Sequence, residues 1–362
     1  MTTALAGAAP EAPPLDARSW LVSARFDLWA FGAPAAGALL LVLLAPWLAP
    51  DGVTPLPMWI VGVLAVDVAH VWATLFVTYL DPGARVRFAA PLLAAPLAAF
   101  LGAAALAHAS PAWFWRVLAY VAVFHFVRQQ YGWVRLHHRR DPDLSALDRR
   151  LDVAAIYLGT LYPLLWWHAH LPRRFSWFVP GDFVGPWLEP RWVEALGVFP
   201  AAVLLAFVLR QVWLRWRGEP WRAGKALVVL TTAACWGVGI VATDSDWSFT
   251  VTNVFIHGVP YLAYVGREAR RRRARRDGAP GGALAFVLTR GWAFYGVLVL
   301  LAYAEEWGWD RLLWREGGVF FGPTPTLGPV GEAWALAALS VPQITHYLLD
   351  GLIWRRPGAG PP

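Results

Sequence analysis

The chain has 362 residues, of which 58% are hydrophobic and only 15% charged, with a net charge of +7. A soluble domain carries about a quarter charged residues, so this composition excludes an ordinary soluble enzyme and is typical of a membrane-embedded protein. The one cysteine, Cys235, excludes a disulfide framework and a thiolate metal site.

Apolar residues come in ten blocks of about 20 residues, the length that a helix needs to cross a bilayer. In chain order the blocks cover residues 28–49, 57–79, 88–108, 112–134, 151–170, 192–213, 224–242, 247–266, 283–303 and 330–354. The sequence therefore predicts an all-α fold, a polytopic membrane helix bundle with about ten transmembrane helices. We expect one transmembrane domain over residues 28–356, a cytoplasmic N-terminal tail of residues 1–27, and a disordered C-terminal tail of residues 357–362.

The distribution of basic residues predicts the topology. If the N-terminus is cytoplasmic, most of the 31 lysines and arginines fall in cytoplasmic segments, including the arginine run from Arg270 to Arg276. We therefore expect both termini inside, in a bacterial inner (cytoplasmic) membrane, with the basic face against anionic lipid headgroups of the bilayer. No nucleic acid is expected as a partner, because no base-stacking or base-reading element accompanies the arginines.

Four blocks carry polar side chains spaced three, four or seven residues apart, so that each set shares a helical face. The sets are Asp67, His70 and Thr74; His125, Arg128 and Gln129; Asn253, His257 and Tyr261; and Gln343, His346 and Asp350, with Tyr347 beside His346. Inserting an ionisable residue at the centre of a membrane helix costs about 2.5–3.5 kcal/mol of free energy, so the presence of these residues needs an explanation. We expect each set to face the bundle interior, because lipid offers such groups no partners.

The histidines of these four blocks lie at one depth. Each precedes the cytoplasmic end of its block by roughly 9–11 residues, or about 14–16 Å along a helix. All four blocks run from outside to inside in the predicted topology. His70, His125, His257 and His346 can therefore meet, and we predict that they bind a metal ion.

Neutral imidazoles with carboxylates nearby suit a transition metal, of which iron is favoured, with zinc, copper, manganese or haem left open. Asp67 and Asp350 are expected to be ligands or to accept the other imidazole N–H group. Arg128 is expected to pair with one of these carboxylates or with an anionic substrate headgroup. Gln129, Asn253 and Tyr347 are expected to shape a catalytic pocket.

Other polar residues are assigned less specific roles. Pro260 and Pro342 are expected to kink the helices beside His257 and His346. Solvated positions are predicted for two groups: His137 and His138 in a cytoplasmic loop, and Glu305, Glu306 and Asp310 in an acidic patch outside.

The segments DVAHVWATLF, FHFVRQQYG and HYLLDGLIW resemble an uncharacterised group of bacterial multi-pass membrane proteins. The chain is also similar, more weakly, to the Brp/Blh-type membrane carotenoid-cleaving oxygenases, whose histidines are thought to bind iron. That resemblance implies an iron-binding role for the four histidines. The chain lacks the clustered HxxxH and HxxHH boxes of membrane desaturases and hydroxylases.

The functional hypothesis is a metal-dependent membrane oxidoreductase, an iron oxygenase or desaturase-like enzyme. Its hydrophobic substrate would be a lipid or isoprenoid from the bilayer, and a separate electron donor is expected as a partner. The alternatives are a proton- or metal-ion-coupled transporter that uses the same His/Asp cluster, and a non-catalytic scaffold or assembly factor in which the polar residues only fix helix packing.

Overall fold

The computed structural model describes residues 18–275 and 282–354. Over these residues the chain forms helices and their connections, and no strand occurs among them. The all-α prediction is confirmed. The predicted tail of residues 357–362, most of the predicted N-terminal tail, and Arg276 lie outside the described residues.

Every predicted apolar block coincides with a helix or with a pair of consecutive helices. In chain order these are α1 Ala24–Leu43, α2 Leu56–Val77, α3 Ala89–Ala109, α4 Pro111–Arg140, α5 Ala146–Ala169, α6 Pro190–Trp216, α7 Ala223–Ala242, α8 Asp246–Ala274, α9 Ala283–Thr289, α10 Gly291–Trp314, α11 Pro329–Leu339 and α12 Val341–Ile353. α2 is π-helical over Trp59–Val68 and α-helical over Ala69–Ala73.

Five helices are long and apolar enough to cross a membrane: α1, α2, α3, α6 and α7. The bent pair α9–α10 would be a sixth. The long helices α4, α5 and α8 combine apolar residues with imidazole, amide and charged side chains, which lowers their mean hydropathy. Ten spans and cytoplasmic termini stay predictions.

The ninth predicted block is not one straight helix. α9 and α10 meet at an angle of 109° beside Arg290, whose extended backbone interrupts the helical hydrogen bonds. α10 then continues beyond the predicted end at residue 303, as far as Trp314. This extension brings acidic residues of α10 into the interior of the bundle.

The outer surface of the bundle is apolar, as lipid contact requires. Leu93, Leu97 and Leu101 on α3 are more than half exposed, and so are Leu205 and Leu209 on α6. Polar residues are buried instead between four helices, where α8 packs against α2 and α4, and α12 packs against the same two helices. This arrangement, with α2 and α4 each between α8 and α12, forms the frame of the candidate site.

Candidate metal centre

Each of the four framing helices contributes one histidine to a common point. The imidazole of His70 on α2 lies 4.6 Å from that of His257 on α8, and His125 on α4 lies 4.6 Å from His346 on α12, measured between ring centroids. The rings are also close across the pairs, at 4.9 Å for His70–His346 and 5.1 Å for His125–His257. The four imidazoles, here called the histidine ring, are all buried, at 0–4% exposure.

The nitrogen atoms that face each other are the Nε2 atoms. Nε2 of His257 lies 3.1 Å from Nε2 of His70, and Nε2 of His346 lies 3.1 Å from Nε2 of His125. Two nitrogens that bind one metal at about 2.0–2.1 Å are separated by about 2.9–3.4 Å for angles between square and tetrahedral. Both observed distances fall within that interval.

The whole ring also has the size of one coordination site. Ring centroids 4.6–5.1 Å apart around a square lie about 3.4 Å from its centre. A metal bound through Nε2 lies about 3.2 Å from the centroid of its imidazole. One nitrogen from each of His70, His125 and His346 lies within 4.8 Å of the other two, so this group could hold a metal ion.

The Nδ1 atoms point to the outside of the ring, where oxygen atoms lie. Nδ1 of His346 is hydrogen bonded to Thr74 Oγ1 at 2.7 Å, and this hydroxyl is bonded in turn to the Tyr261 hydroxyl at 3.0 Å. Nδ1 of His70 lies 3.6 Å from Asp67, and Nδ1 of His125 lies 3.9 Å from Asp350. Metal-bound histidines are commonly oriented by such acceptors on their second nitrogen.

His257 is held in a different way. Its ring stacks on Phe126 with centroids 3.5 Å apart and planes 6° from parallel, and its Nδ1 has no hydrogen-bond partner among the described residues. Asp67, His70 and His257 form a second group that could hold a metal ion. Asp67 therefore lies where it could be either a ligand or an acceptor for His70.

Gly258 allows α8 to approach α2 closely enough for His257 and His70 to meet. A Cβ atom at this position would lie 2.6 Å from Val66 Cγ1 and 3.1 Å from the Val66 carbonyl oxygen. Real Cβ atoms do not come that close, so a larger residue would push the two helices apart.

The two glutamines of α4 bond to the backbone of α8. The Gln129 amide donates to the carbonyl of His257 at 2.8 Å. The Gln130 amide donates at 3.4 Å to the carbonyl of Ile256, which Pro260 deprives of its helical partner. Gln129 therefore fixes the backbone at His257 through a buried hydrogen bond, a more specific role than shaping a pocket.

Two further expectations for these helices need correction. The predicted helix around Pro342 is interrupted at Ser340, so Pro342 lies in the first turn of α12 and marks the start of a new helix, where the sequence predicted a kink within one. Arg128 is exposed and bonds to neither Asp67 nor Asp350; its guanidinium donates to the Tyr157 hydroxyl at 2.6 Å. Positions three and four residues from His125 diverge by about 100° around the helix, so Gln129 turns inward while Arg128 turns outward.

Tyr347 and Asp350 both lie beside His125. The Tyr347 ring stacks on the imidazole with centroids 4.6 Å apart, and its hydroxyl accepts a hydrogen bond from the Gln343 amide at 2.7 Å. Asp350 accepts a hydrogen bond from the Trp354 indole at 2.9 Å. The structure thus places these two residues next to the histidine ring, as expected.

A cavity of about 800 Å³ reaches the histidine ring at His70. It lies beside the connections that follow α5 and α10, and we call it the acidic cavity because six carboxylates line it: Asp67, Asp246, Glu305, Glu306, Asp310 and Glu316. The prediction that Glu305, Glu306 and Asp310 are solvated is wrong for Asp310, which is buried, whereas Glu305 and Glu306 are half-buried in the wall of the cavity. Glu305 accepts a hydrogen bond from the Trp72 indole at 2.7 Å, and Asp310 is 3% exposed, because α10 extends past the predicted block.

A second cavity, the lateral pocket, reaches the ring at His346. It has a volume of about 310 Å³ and lies between α2, α3 and α12. Its wall is mostly apolar and includes Val71, Leu75, Pro96 and Val341, with Thr74 next to His346. The histidine ring thus borders a polar space on one side and an apolar space on another.

The prediction that His137 and His138 are solvated is also wrong, because α4 continues to Arg140 and buries both. Nε2 of His138 lies 2.8 Å from an Asp152 oxygen, which also accepts a hydrogen bond from the Lys225 ammonium at 2.7 Å. We call His138, Asp152 and Lys225 the ionic cluster. The run of His and Arg at the end of α4 did not reveal these partners, which come from α5 and α7.

In comparisons with protein-family models, with curated proteins and with solved structures, no match to this chain is found. The resemblances noted from the sequence therefore stay predictions, and the function is inferred from the site itself.

Proposed function

We propose that this protein is an integral membrane metalloprotein in which His70, His125, His257 and His346 hold one transition metal ion, with iron favoured. The observation that carries the proposal is the meeting of four buried imidazoles, with 3.1 Å between the Nε2 atoms of each facing pair. Each pair is a hydrogen bond when one imidazole carries its proton on Nε2, and each has the spacing of two metal ligands when both rings carry their protons on Nδ1. Imidazole nitrogen is a good ligand for iron, zinc and copper, and the iron preference comes from the weak resemblance to membrane carotenoid oxygenases.

We assign the metal to an oxidoreductase, oxygenase or desaturase-like, that acts on a lipid or isoprenoid substrate. Iron bound by the histidine ring would supply the one-electron chemistry that such reactions need, with electrons from a separate donor. The protein's own residues have simpler tasks: Thr74 orients His346, and Phe126 fixes the plane of His257. The lateral pocket supports an apolar substrate, since its mostly apolar wall ends at His346. The basic segments support a bacterial inner-membrane location.

Elemental analysis and an optical spectrum of detergent-purified protein test this proposal, in parallel with the double variant His125→Ala/His346→Ala. We expect about one metal ion per chain in the parent and its loss in the variant, because two of four ligands are removed. His170→Ala is the matched control, since His170 bonds to the Trp166 carbonyl and to Glu194, neither of which belongs to the histidine ring.

The outcomes separate the possible chemistries. Iron in the parent supports the oxidoreductase, zinc alone would redirect it to hydrolytic chemistry, and a Soret band would identify haem. A parent that takes up no metal after incubation with Fe²⁺, Zn²⁺, Cu²⁺ or Mn²⁺ would contradict the proposal, provided that it elutes as a folded species.

A second candidate function, a metal-ion or proton-coupled transporter, is favoured by one observation. The acidic cavity leads from the connections after α5 and α10 to His70, as an ion pathway would. Metal-loaded liposomes distinguish the two functions: a transporter moves metal or protons across the membrane at steady state, whereas an enzyme binds its metal without flux.

A further inference from the structure

The acidic cavity has a chemical character that the metal proposal does not use. Its wall contains six carboxylates and, among the described residues, neither lysine nor arginine. Two carboxylates are compensated by the chain itself: Asp246 accepts a hydrogen bond from the backbone N–H of Thr54, and Asp310 forms an ion pair with Arg311. Glu305 is bonded to neutral indole N–H groups, that of Trp72 at 2.7 Å and that of Trp309. Partly buried carboxylates without cations are costly, so the cavity favours a positively charged ligand.

Aromatic rings form much of the remaining wall. Trp115, Trp309 and Trp314 contact one another, with centroids 5.3–5.9 Å apart, and Phe178 packs 5.8 Å from Trp115. Faces of tryptophan attract organic cations, and such aromatic walls recognise quaternary ammonium groups in proteins. A bare metal ion prefers oxygen ligands without aromatic surroundings and would leave most of about 800 Å³ unfilled.

An unpartnered polar atom independently indicates a ligand in this cavity. Asn253, which is 2% exposed, lines the cavity, and its amide nitrogen donates to the carbonyl of Phe249 at 2.9 Å. The amide oxygen of the same side chain is buried and has no hydrogen-bond partner among the described residues. A buried acceptor of this kind is ordinarily satisfied by a ligand or a water molecule. An ammonium ligand would provide the missing donor or positive charge.

We infer that the acidic cavity binds an organic cation of the alkylammonium class, either as a free compound or as the headgroup of a lipid. The carboxylates of Glu305 and Glu306 provide the charge, and the tryptophans provide the surface for the alkyl groups. This binding site goes beyond the proposed metal function and does not require it.

Choline binding, measured by calorimetry on protein in phosphatidylglycerol nanodiscs, tests the inference. We expect saturable binding in the parent and binding about tenfold weaker, or more, in Glu305→Gln/Glu306→Gln, which keeps the acceptor for Trp72 but removes the charge. Glu332→Gln is the matched control, because Glu332 is partly exposed, pairs with Arg315 and does not line the cavity. The uncharged carbon analogue of choline, dimethylbutanol, should not bind.

Three results would overturn the inference: equal binding of dimethylbutanol, unchanged choline binding in the double glutamine variant, or displacement of choline by equimolar Mn²⁺, which would make the cavity a metal passage. Repeating the titration in phosphatidylcholine nanodiscs identifies the source of the ligand. If the cavity accepts lipid headgroups, phosphatidylcholine will compete with choline, and if it accepts only free cations, choline binding will not change. The His125→Ala/His346→Ala variant should still bind choline. A failure of the metal proposal is therefore distinguishable from a failure of this one.

Discussion

The protein buries histidine in two places, and the contrast between them separates structure from function. In the ionic cluster, the imidazole of His138 and the ammonium of Lys225 share one oxygen of Asp152, at 2.8 and 2.7 Å. In the histidine ring, the imidazoles face each other with no cation and no carboxylate between them. The first set contains a carboxylate and an ammonium that compensate each other, whereas the second brings imidazoles together without such a pair.

The contrast shows that burial and residue type alone do not indicate a ligand site. A buried charge needs compensation, and Asp152 provides it for Lys225, so the ionic cluster fixes α4, α5 and α7 relative to each other. The facing imidazoles of the histidine ring have no such charge pair, and the metal ion that we propose for them would be an addition to the chain. Substitutions in the two regions should therefore change different measurable properties.

The largest expected effect on stability is in the ionic cluster. Asp152→Asn leaves the buried ammonium of Lys225 without its carboxylate and should destabilise the protein by about 3 kcal/mol, with metal content per folded chain unchanged. Thermal unfolding in detergent measures the loss. Adding Lys225→Met should recover more than half of it, because the unpaired charge is then removed. A loss of metal without a loss of stability would reverse the roles assigned to the two regions.

A smaller effect is expected behind the histidine ring. Thr74→Val removes the hydroxyl bonded to Nδ1 of His346 and should weaken metal affinity by about 10–100-fold, the usual range for such orienting groups. Competition with a chelator of known affinity measures it. Thr78→Val is the control, because the Thr78 hydroxyl bonds to the backbone of Thr74 and not to the ring. Equal losses in both variants would indicate a general effect of α2.

The smallest effect is expected outside both regions, at Arg128. Arg128→Ala removes the bond to Tyr157 and the contact of the guanidinium with the face of Tyr131, 4.8 Å from its centroid. We expect a loss of about 0.5–1 kcal/mol in stability and no change in metal affinity. A clear change in metal affinity would restore the sequence-based hypothesis that Arg128 neutralises Asp67 or Asp350.

The convergence of the four histidines could be predicted because it depends on two regular properties. Helical spacing put His70 and Thr74 on one face of α2, and the positive-inside pattern put all four histidines at one depth. The partners on the Nδ1 side were only partly predictable. Asp67 lies three residues before His70 on the same helix, so its place beside His70 was predictable. Thr74 bonds to His346, which lies on another helix near the end of the sequence, so this contact was not predictable.

The errors about which residues are solvated have one cause, which is that apolar blocks were taken as the extent of the helices. α4 runs on to Arg140 and buries His137 and His138, and α10 runs on to Trp314 and turns Glu305 into the acidic cavity. A helix ends where its backbone bonds end, and polar residues continue it without difficulty when another helix covers them. Which helix would cover them was not visible in a single sequence.

The close approach at Gly258 has a consequence for the choice of ion. A chelating site selects ions by the distance between its ligand atoms. Here the distance between the imidazoles of His70 and His257 depends on how closely the backbones of α2 and α8 approach each other. Rigid spacing of this kind discriminates between ions of different radius, whereas the ligand type alone would accept most divalent metals. For the proposed metal ion, the missing side chain of Gly258 would therefore limit the range of ionic radii that His70 and His257 can bind together.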